Sequence, residues 1–405
     1  MTSTATPVTG KQRGRRRLER STVVGLALIA PLSLVIILFL LLPLSRFLSL
    51  SANNTEAAGW LSHTSAALAG WSGEELPSDD AYAAIAKDVR GNAELTSKLA
   101  ARLNFFEGGM ISLLRRTSAK IDSIPPTRDG FVAFHKDWGD LETWRSIYLV
   151  SQPLLIEHYL NALDLRADNP TRVTSIEQQP ERQRIFQGLW LRTILVALVV
   201  ICACTLIGYP LAFYLSRARG FAFMLGMGMV LLPFWTPLLA RITSWQVLLE
   251  TTGVIPTALA ASGLIEGRMP ALFNNLFATI LVMTYVLLPF AVLPTYAVMN
   301  RVSPSLFRAA LTLGASPGRA FFQVYLPQTL PGVIAGSILI FVFSFGFYLT
   351  PELVGGPGGS LIGNQIAYHF SKSLNWGLAA ALSGLLLVII AAAALLLRSI
   401  AQRQS

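Results

Sequence analysis

The stretch SPSLFRAALTLGASPGRAFFQVYLP, residues 303–327, contains the signals of two short helices joined by a tight corner. Ser303 can cap a helix whose first residue is Pro304, a position that suits proline because the first N–H groups of a helix have no intrahelical partner. Gly314 closes that helix, since glycine readily adopts the left-handed conformation found at C-termini. The serine–proline start signal recurs two residues later, and Pro327 is predicted to stop the second helix.

The first of these helices carries an apolar face. Leu306, Ala310 and Leu313 share that face, and Phe307 and Leu311 flank it. An apolar helix in a water-exposed connection needs a surface to cover it. The covering surface is either the rest of the same chain or a groove on another protein, and the spacing alone favours neither.

The chain around this stretch is apolar enough to lie in a bilayer. Of its 405 residues, 53% are hydrophobic and 13% are charged, against about 25% charged in an average soluble domain. Apolar runs of about 20 residues are long enough to cross the hydrocarbon core. Six such runs occur, at residues 23–44, 189–215, 221–239, 276–298, 330–349 and 376–397. The predicted fold is therefore all-α, a polytopic membrane protein with six transmembrane helices.

The basic residues orient the chain in the membrane. The net charge is +10, and positive charge concentrates in residues 1–20, between the second and third runs, in residues 300–327 and in the C-terminal tail. Residues 51–186 instead hold 18 acidic and 14 basic side chains. The positive-inside rule therefore predicts that both termini are cytoplasmic. Because orientation accounts for the positive charge, no nucleic-acid partner is predicted.

These features divide the chain into predicted segments. They are a basic cytoplasmic tail (1–22), a first transmembrane helix (23–50), a mainly helical extracytoplasmic domain (51–186), a core with five further transmembrane helices (187–400) and, within it, a cytoplasmic loop (300–327). The first apolar run is longer than that of a signal peptide and no clear small-residue cleavage site follows it, which favours an uncleaved anchor. The histidines of residues 51–186 and the two cysteines lack metal-ligand spacing, so no metal site is predicted.

Four charged side chains fall near membrane depth, where charge is expensive and often functional: Arg192, Arg241, Glu250 and Glu352. Snorkelling of the long side chain toward the headgroups explains Arg192 without a site. Glu352 lies beside a proline and a glycine-rich turn, where it is a candidate to meet a cationic solute.

Residues 303–327, called the coupling segment below, resemble the EAA loop of ABC importer permeases. The matching residues are Ala309, Ala310, Gly314, Leu326 and Pro327, whereas the family's glutamate is replaced by Arg308. In that family the loop forms coupling helices that dock into an ATPase subunit. The resemblance implies this role for Leu306, Phe307, Arg308, Ala309, Ala310, Gly314, Leu326 and Pro327.

Further motifs extend the resemblance over residues 145–400 and make the chain similar to spermidine/putrescine-type permeases. They are the runs LLPFWT (231–236), YVLLPF (285–290) and PELVGG (351–356), together with Arg241 followed by Trp245 and the run IGN (362–364). The resemblance implies a type I permease core. It suggests a candidate substrate path lined by Trp235, Arg241, Trp245, Tyr285, Glu352 and Asn364.

The chain contains no phosphate-binding G-x-x-x-x-G-K-[ST] motif, so the energy for transport must come from another subunit. The resemblance implies a separate ABC ATPase that holds ATP and magnesium, a second permease subunit in a heterodimer, and an external solute-binding protein. The expected location is the bacterial inner membrane, and no cofactor and no catalysis are expected in this chain.

Two other functions are compatible with a multi-span protein of this kind. A membrane-anchored sensor or assembly protein would act through residues 51–186, but it needs neither five further spans nor the helix–turn–helix. An ion-coupled secondary transporter needs carboxylates inside the membrane, and these are scarce in the apolar runs. An importer of polyamines or a related small solute remains the preferred interpretation.

Overall fold

The computed structural model describes residues 20–90, 93–173, 175–262 and 272–404. The predicted basic tail lies outside these residues except for its last three positions, which begin the first helix. The chain divides into two compact units, Met1–Ser49 and Leu50–Ser405, and each is described by itself.

The first unit is a long helix with a widened turn in its middle. Helix α1 (Arg20–Ile36) leads through a π-helical turn (Ile37–Leu41) into α2 (Leu42–Ser49). Its part Ala27–Ser49 is long and apolar enough to cross a membrane, and none of its residues is buried inside the protein. A helix that exposes leucine, isoleucine and phenylalanine side chains on all sides fits a lipid environment.

The second unit begins with residues 51–186, called the insertion domain. Its described residues contain eight short α-helices: α3 (Thr55–Trp60), α4 (Ser62–Ala67), α5 (Asp79–Val89), α6 (Ala93–Leu103), α7 (Met110–Lys120), α8 (Arg128–Phe134), α9 (Leu141–Ser151) and α10 (Glu157–Asn161). Two short strands, β1 (Leu165–Ala167) and β2 (Ile176–Gln178), form an antiparallel hairpin that the helical periodicity did not predict.

Aromatic side chains form the centre of the insertion domain. Tyr82, Phe131, Trp138 and Trp144 are fully buried. Their polar atoms are paired: the Tyr82 hydroxyl donates to the Trp138 carbonyl at 2.9 Å and accepts from the Trp144 indole N–H at 3.1 Å. The Trp138 indole N–H donates to the Thr117 hydroxyl at 3.0 Å. A buried polar group destabilises a fold unless it is paired, so these bonds allow large aromatic residues to fill a water-free centre.

The remaining described residues form the helical core. Its helices are α11 (Phe186–Leu215), α12 (Gly220–Trp235), α13 (Leu238–Leu249), α14 (Val254–Ala261), α15 (Leu276–Met299), α16 (Pro304–Thr312), α17 (Pro317–Ala320), α18 (Leu326–Gly346), α19 (Ile362–Ser371) and α20 (Trp376–Gln404). Helices α11, α15 and α18 pack on one another at its centre.

The close approach of these central helices depends on small residues. A Cβ atom added at Gly332 of α18 would lie 2.9 Å from the Pro294 carbonyl oxygen of α15, and one added at Gly336 would lie 3.0 Å from the Phe290 carbonyl oxygen. Gly208 of α11 faces the same helix, next to Ala291. Small residues at helix contacts are typical of membrane proteins, where helices associate by close packing.

The third predicted span, residues 221–239, is not one straight helix. Helix α12 ends at Trp235, and α13 and α14 continue at an angle of 103° to it. The bend follows from Pro237, because the residue before a proline avoids the helical conformation and Thr236 is extended (φ −102°, ψ 139°). Five helices among the described residues are long and apolar enough to cross a membrane, and the bent pair makes a sixth span if it counts as one.

Candidate coupling segment and Glu352 cleft

The first helix of the coupling segment has the predicted caps. The Ser303 hydroxyl accepts from the N–H of Ser305 at 3.4 Å, ahead of Pro304. Gly314 has φ +88°. Its N–H donates to the Leu311 carbonyl at 3.0 Å, and the next N–H donates to the Ala310 carbonyl at 3.1 Å. This pair of bonds is the Schellman arrangement that closes a helix at a glycine, and it fixes the angle of the corner.

The second helix begins at Pro317, as predicted, but it does not end at Pro327. The Ser316 side chain makes no capping bond, and its backbone carbonyl accepts from the N–H of Ala320 at 2.9 Å. Pro327 does not stop the helix, because the chain runs from α17 through a π-helical turn (Phe321–Tyr325) directly into α18. A π turn widens the helix where proline removes a backbone bond, so the second short helix and the fifth span are one continuous element, Pro317–Gly346.

Part of the apolar face of α16 packs on the core and part stays free. Phe307 is half-buried and packs against an apolar cluster that includes Tyr296, Val302 and Phe321. Leu306 and Leu313 are 47% and 88% exposed. Phe307 is therefore covered by the same chain, whereas Leu306 and Leu313 remain available to a groove on another protein.

An aromatic cluster holds the second helix against α11. The rings of Phe321 and Tyr325 are stacked with centroids 5.7 Å apart, and both pack edge-on against Phe213 near the end of α11. The Arg217 guanidinium lies 3.5 Å from the centre of the Phe213 ring, an attractive cation–π contact. The contacts of Phe213 with the second helix were not predicted, because Phe213 lies more than one hundred residues before Phe321 and Tyr325 in the sequence.

The Glu352 cleft lies at the opposite end of α18. Glu352 sits in a π-helical turn (Pro351–Gly355), and its carboxylate accepts from the side-chain amide of Asn364 at 2.9 Å. The same amide donates to the Tyr348 carbonyl at 3.0 Å, and the Asn364 side-chain oxygen accepts from the N–H of Leu361 at 3.1 Å. Asn364 is buried, so it positions the exposed Glu352 carboxylate at the edge of a cavity of about 290 Å³.

The lining of this cavity suits an organic cation. Besides Glu352 and Asn364 it includes Tyr348, Tyr368 and Lys372. A carboxylate and two tyrosine rings are groups that attract an ammonium ion, and Lys372 is the opposing charge at the rim.

Arg192 holds the glycine-rich turn beside this cleft. Its guanidinium donates to the Gly358 carbonyl at 3.1 Å. The neighbouring Thr193 hydroxyl accepts from the N–H of Ile362 at 3.0 Å. These bonds tie the turn to α11, a structural role that the snorkelling interpretation of Arg192 did not include.

The other predicted path residues fall into separate places. The rings of Trp245 and Tyr285 meet edge-on with centroids 5.4 Å apart, in an apolar cluster that also contains Leu353, the neighbour of Glu352. The Nε atom of Arg241 is buried without a hydrogen-bond partner among the described residues. Trp235 is almost fully exposed at the end of α12. The structure thus pairs Glu352 with Asn364 and Trp245 with Tyr285.

Side chains that could bind a metal are scattered in the part of the chain that the structure describes. No group of three or more potential metal-ligating side chains occurs there. Both cysteines are free: Cys202 is exposed on α11, and Cys204 is buried with its thiol 3.5 Å from the Thr284 carbonyl. Their positions fit packing residues of a membrane helix.

A cluster of contacts that the sequence did not reveal joins the insertion domain to the helical core. The buried Asp164 carboxylate accepts from the N–H groups of Ile185, Phe186 and Gln187, at 3.1, 3.1 and 2.6 Å. A carboxylate is favourable at a helix N-terminus, where N–H groups are free and the dipole is positive. The Trp190 indole N–H donates to the Ala162 carbonyl at 2.9 Å. The insertion domain therefore caps the start of α11.

Comparison with known proteins identifies the helical core. A family model described as binding-protein-dependent transport system inner membrane component matches residues 205–405. The spermidine/putrescine transport system permease protein PotB of Haemophilus influenzae is 38% identical over 180 residues, 44% of this chain and 63% of that protein. PotB of Escherichia coli is 33% identical over 223 residues, 54% of this chain and 81% of that protein.

A solved bacterial ABC transporter, involved in the import of the acidic polysaccharide alginate, is 16% identical and covers 56% of this chain and 80% of its own, with a TM-score of 0.42. For the two PotB proteins, the matched part of this chain covers less than two thirds of the Haemophilus protein and about four fifths of the Escherichia protein. The family match contains the coupling segment and the Glu352 cleft, and the insertion domain lies outside it. The chain belongs to the inner-membrane components of binding-protein-dependent transport systems, the permease subunits of ABC importers.

Proposed function

We propose that the chain is the membrane-spanning subunit of an ATP-driven importer that receives its solute from an external binding protein. The proposed substrates are polyamines, such as spermidine and putrescine, or a related small solute. Two PotB relatives with this named substrate support the proposal. ATP and magnesium would bind on a separate ATPase, and a second permease subunit would complete a heterodimer in the bacterial inner membrane.

The observation that carries the proposal is a pair of exposed leucines, one on α16 and one at its C-cap. Leu306 and Leu313 project from a short helix whose two ends are fixed, at Ser303 by a cap and at Gly314 by the Schellman bonds. Burying a leucine side chain in a partner's groove contributes roughly 1.5–3 kcal/mol relative to leaving it in water. A rigid helix with free apolar anchors is the form that docks into a groove and transmits movement.

The charge of the coupling segment limits what its partner can present. Arg308 and Arg319 are exposed, and residues 303–327 contain no acidic side chain. Where the family has a glutamate, this chain presents Arg308, so the ATPase surface at that contact would be acidic or neutral instead of basic. With both termini in the cytoplasm, as the charge distribution predicts, this segment faces the cytoplasmic ATPase.

Substrate recognition would be shared between two proteins. The proposed path through this chain includes Glu352, Asn364, Trp245 and Tyr285. The Glu352 cleft supplies one carboxylate, which is too little charge to hold a polyamine with several ammonium groups. Selection would therefore rest mainly on the external binding protein, and the cleft would receive the released cation.

Replacing Leu306 by aspartate tests the docking role of α16. Leu306→Asp places a charge on the free apolar face, so the co-purifying ATPase should be lost in mild detergent while membrane insertion is unchanged. Ser305→Asp is the control, because it adds the same charge in the first helical turn, where the helix dipole favours an acid. Equal ATPase recovery from Leu306→Asp and the parent protein would assign the leucines to another role.

Replacing Glu352 by glutamine tests the cleft separately. Glu352→Gln keeps the shape of the side chain and its bond partner Asn364 but removes the charge. We expect slower ATP-dependent uptake of spermidine into reconstituted vesicles, with ATPase association unchanged. Uptake equal to that of the parent protein would remove Glu352 from the path.

A further inference from the structure

The insertion domain leaves one group of apolar side chains exposed. Leu154 and Ile156, which precede α10, are 73% and 61% exposed. Val173 and Ile176, in and beside the β-hairpin, are also exposed. Leu154, Ile156 and Val173 line one cleft of about 360 Å³. We call these four residues the hairpin patch. Most other large apolar residues of the domain are buried, so the patch is a local exception that calls for a covering surface.

The patch lies beside the contacts that join the insertion domain to two membrane helices. Ile156 directly precedes α10, whose His158 ring packs so tightly on Gly377 of α20 that a Cβ atom there would overlap it. A few residues further on, Asp164 caps the first turn of α11. The hairpin patch is therefore held near the ends of two helices that are long and apolar enough to cross a membrane.

Exposed apolar side chains continue around those helix ends. Ile185 precedes α11 and is exposed, and Leu191 and Leu195 continue the exposed face along that helix. Trp376 is exposed at the first residue of α20. Tryptophan is enriched at the membrane–water interface, where its ring is apolar and its N–H is wet. These residues mark the level of the bilayer interface on the side of the insertion domain.

Basic side chains accompany the patch. Arg172 is exposed next to Val173. Arg166 is exposed in β1 and pairs with Glu177 of β2 at 3.8 Å. Lys372 is exposed a few residues before α20. Exposed apolar side chains flanked by arginine and lysine are the pattern of protein surfaces that lie in the headgroup region, since the basic groups reach the lipid phosphates.

We propose that the hairpin patch inserts into the headgroup and upper acyl region of the bilayer. The insertion domain is then attached to the membrane surface as well as to α11 and α20, which fixes its tilt over the helical core. The partner is a phospholipid surface, and the argument needs only that α11 and α20 cross the membrane. It is independent of the transported solute and of the ATPase.

Site-directed fluorescence in lipid nanodiscs tests the proposal. The full chain, with Cys202→Ala and Cys204→Ala, receives a single cysteine at Leu154 or Ile156 and an environment-sensitive dye, in nanodiscs of phosphatidylethanolamine and phosphatidylglycerol. Ile111 is the matched control, an exposed apolar residue on α7, which packs on α6. We expect blue-shifted emission and quenching by spin-labelled lipid at positions 154 and 156, and quenching by aqueous iodide at position 111.

Two results would overturn the proposal. Iodide quenching at positions 154 and 156 as strong as at 111 would show that the patch faces water. Protection that arises only after the binding protein or a second permease subunit is added would assign the patch to a protein partner.

The double variant Leu154→Glu with Ile156→Glu, read by a dye at Val173→Cys, gives a further test. Both positions are exposed, so the domain should still fold while the lipid quenching is lost.

Discussion

The insertion domain and the helical core differ in the residues that lie where their helices meet. The insertion domain has Trp138 and Trp144 at its centre, fully enclosed. The helical core has Gly332 and Gly336 where its central helices touch, while large residues such as Phe221 point outward. Both regions are helical and parts of one compact unit, yet aromatic rings fill the centre of one and glycines allow the close helix contacts of the other.

The difference shows which solvent each region is adapted to. In water, removing large apolar surface is the main stabilising effect, so the largest side chains go inside. In lipid, apolar surface gains little from leaving the solvent, and helices associate through close contact between small residues. The same kind of substitution should therefore have different consequences in the two regions.

Deleting an aromatic ring should damage the insertion domain most. Trp144→Ala removes a ring that lies edge-on to Tyr82 with centroids 4.5 Å apart and is fully buried. We expect a loss of about 3–5 kcal/mol in the stability of the domain. Limited proteolysis in detergent, with temperature as the variable, measures it. Ile111→Ala is the control and should have little effect. Equal resistance of the two variants would show that the aromatic centre does not hold the domain together.

Adding bulk should damage the helical core. In Gly332→Val the new Cβ lies within 2.9 Å of backbone atoms of Pro294 and Thr295, so α15 and α18 must separate. We expect a destabilisation of about 1–3 kcal/mol, typical of overpacking. Gly228→Val, where a Cβ meets no atom within 4 Å, should be tolerated. Size-exclusion chromatography after heating in detergent compares the two variants, and identical profiles would contradict the close-packing account.

The stability of the contact between the insertion domain and the helical core should decrease at acidic pH. Burial, and then the positive charge of Arg102, lowers the pKa of His158 to about 3. Below pH 6.5, the ordinary pKa of histidine, His158 is protonated in the unfolded chain but stays neutral in the folded chain. The free energy of unfolding therefore falls as the pH drops from about 6.5 toward 3. The limiting slope is about 1.4 kcal/mol per pH unit.

The variant His158→Phe isolates this effect. Burial raises the pKa of the neighbouring Glu157, and this shift has the opposite effect on the pH dependence of stability. The parent protein and His158→Phe are therefore compared at each pH. The parent protein should lose more thermal stability between pH 7 and pH 5 than His158→Phe. Parallel losses would show that His158 does not titrate on unfolding.

The smallest effect is expected at Arg308, an exposed residue of α16. Because its side chain is exposed, Arg308→Glu should weaken ATPase association by about 0.2–1 kcal/mol. The effect should shrink at high salt, and Arg308→Gln should lie between the two. Stronger binding of Arg308→Glu would indicate a basic contact on the ATPase.

Local signals explain why the corner of the coupling segment could be predicted. Pro304 and Gly314 act on the residues next to them, so the first helix and its closure follow from the sequence. The passage of the second helix through Pro327 occurs at a π turn whose rings pack edge-on against Phe213, more than one hundred residues earlier. No short-range pattern contains that contact.

Distance along the chain explains the other differences as well. Glu352 and Asn364 were both predicted as path residues, and the turn between them brings their side chains into a hydrogen bond. Asp164 was not singled out, because the N–H groups that it caps lie 21 to 23 residues away. Its left-handed backbone, with φ +56°, is likewise invisible in the sequence.

ATP-dependent uptake tests the central claim most directly. The chain is purified from its native membrane in mild detergent with its associated subunits, reconstituted into vesicles, and supplied with the binding protein and labelled spermidine. The account predicts a co-purifying ATPase and accumulation that requires both ATP and the binding protein, with Leu306→Asp abolishing both the ATPase and the uptake. Uptake by the isolated chain without ATP would contradict it.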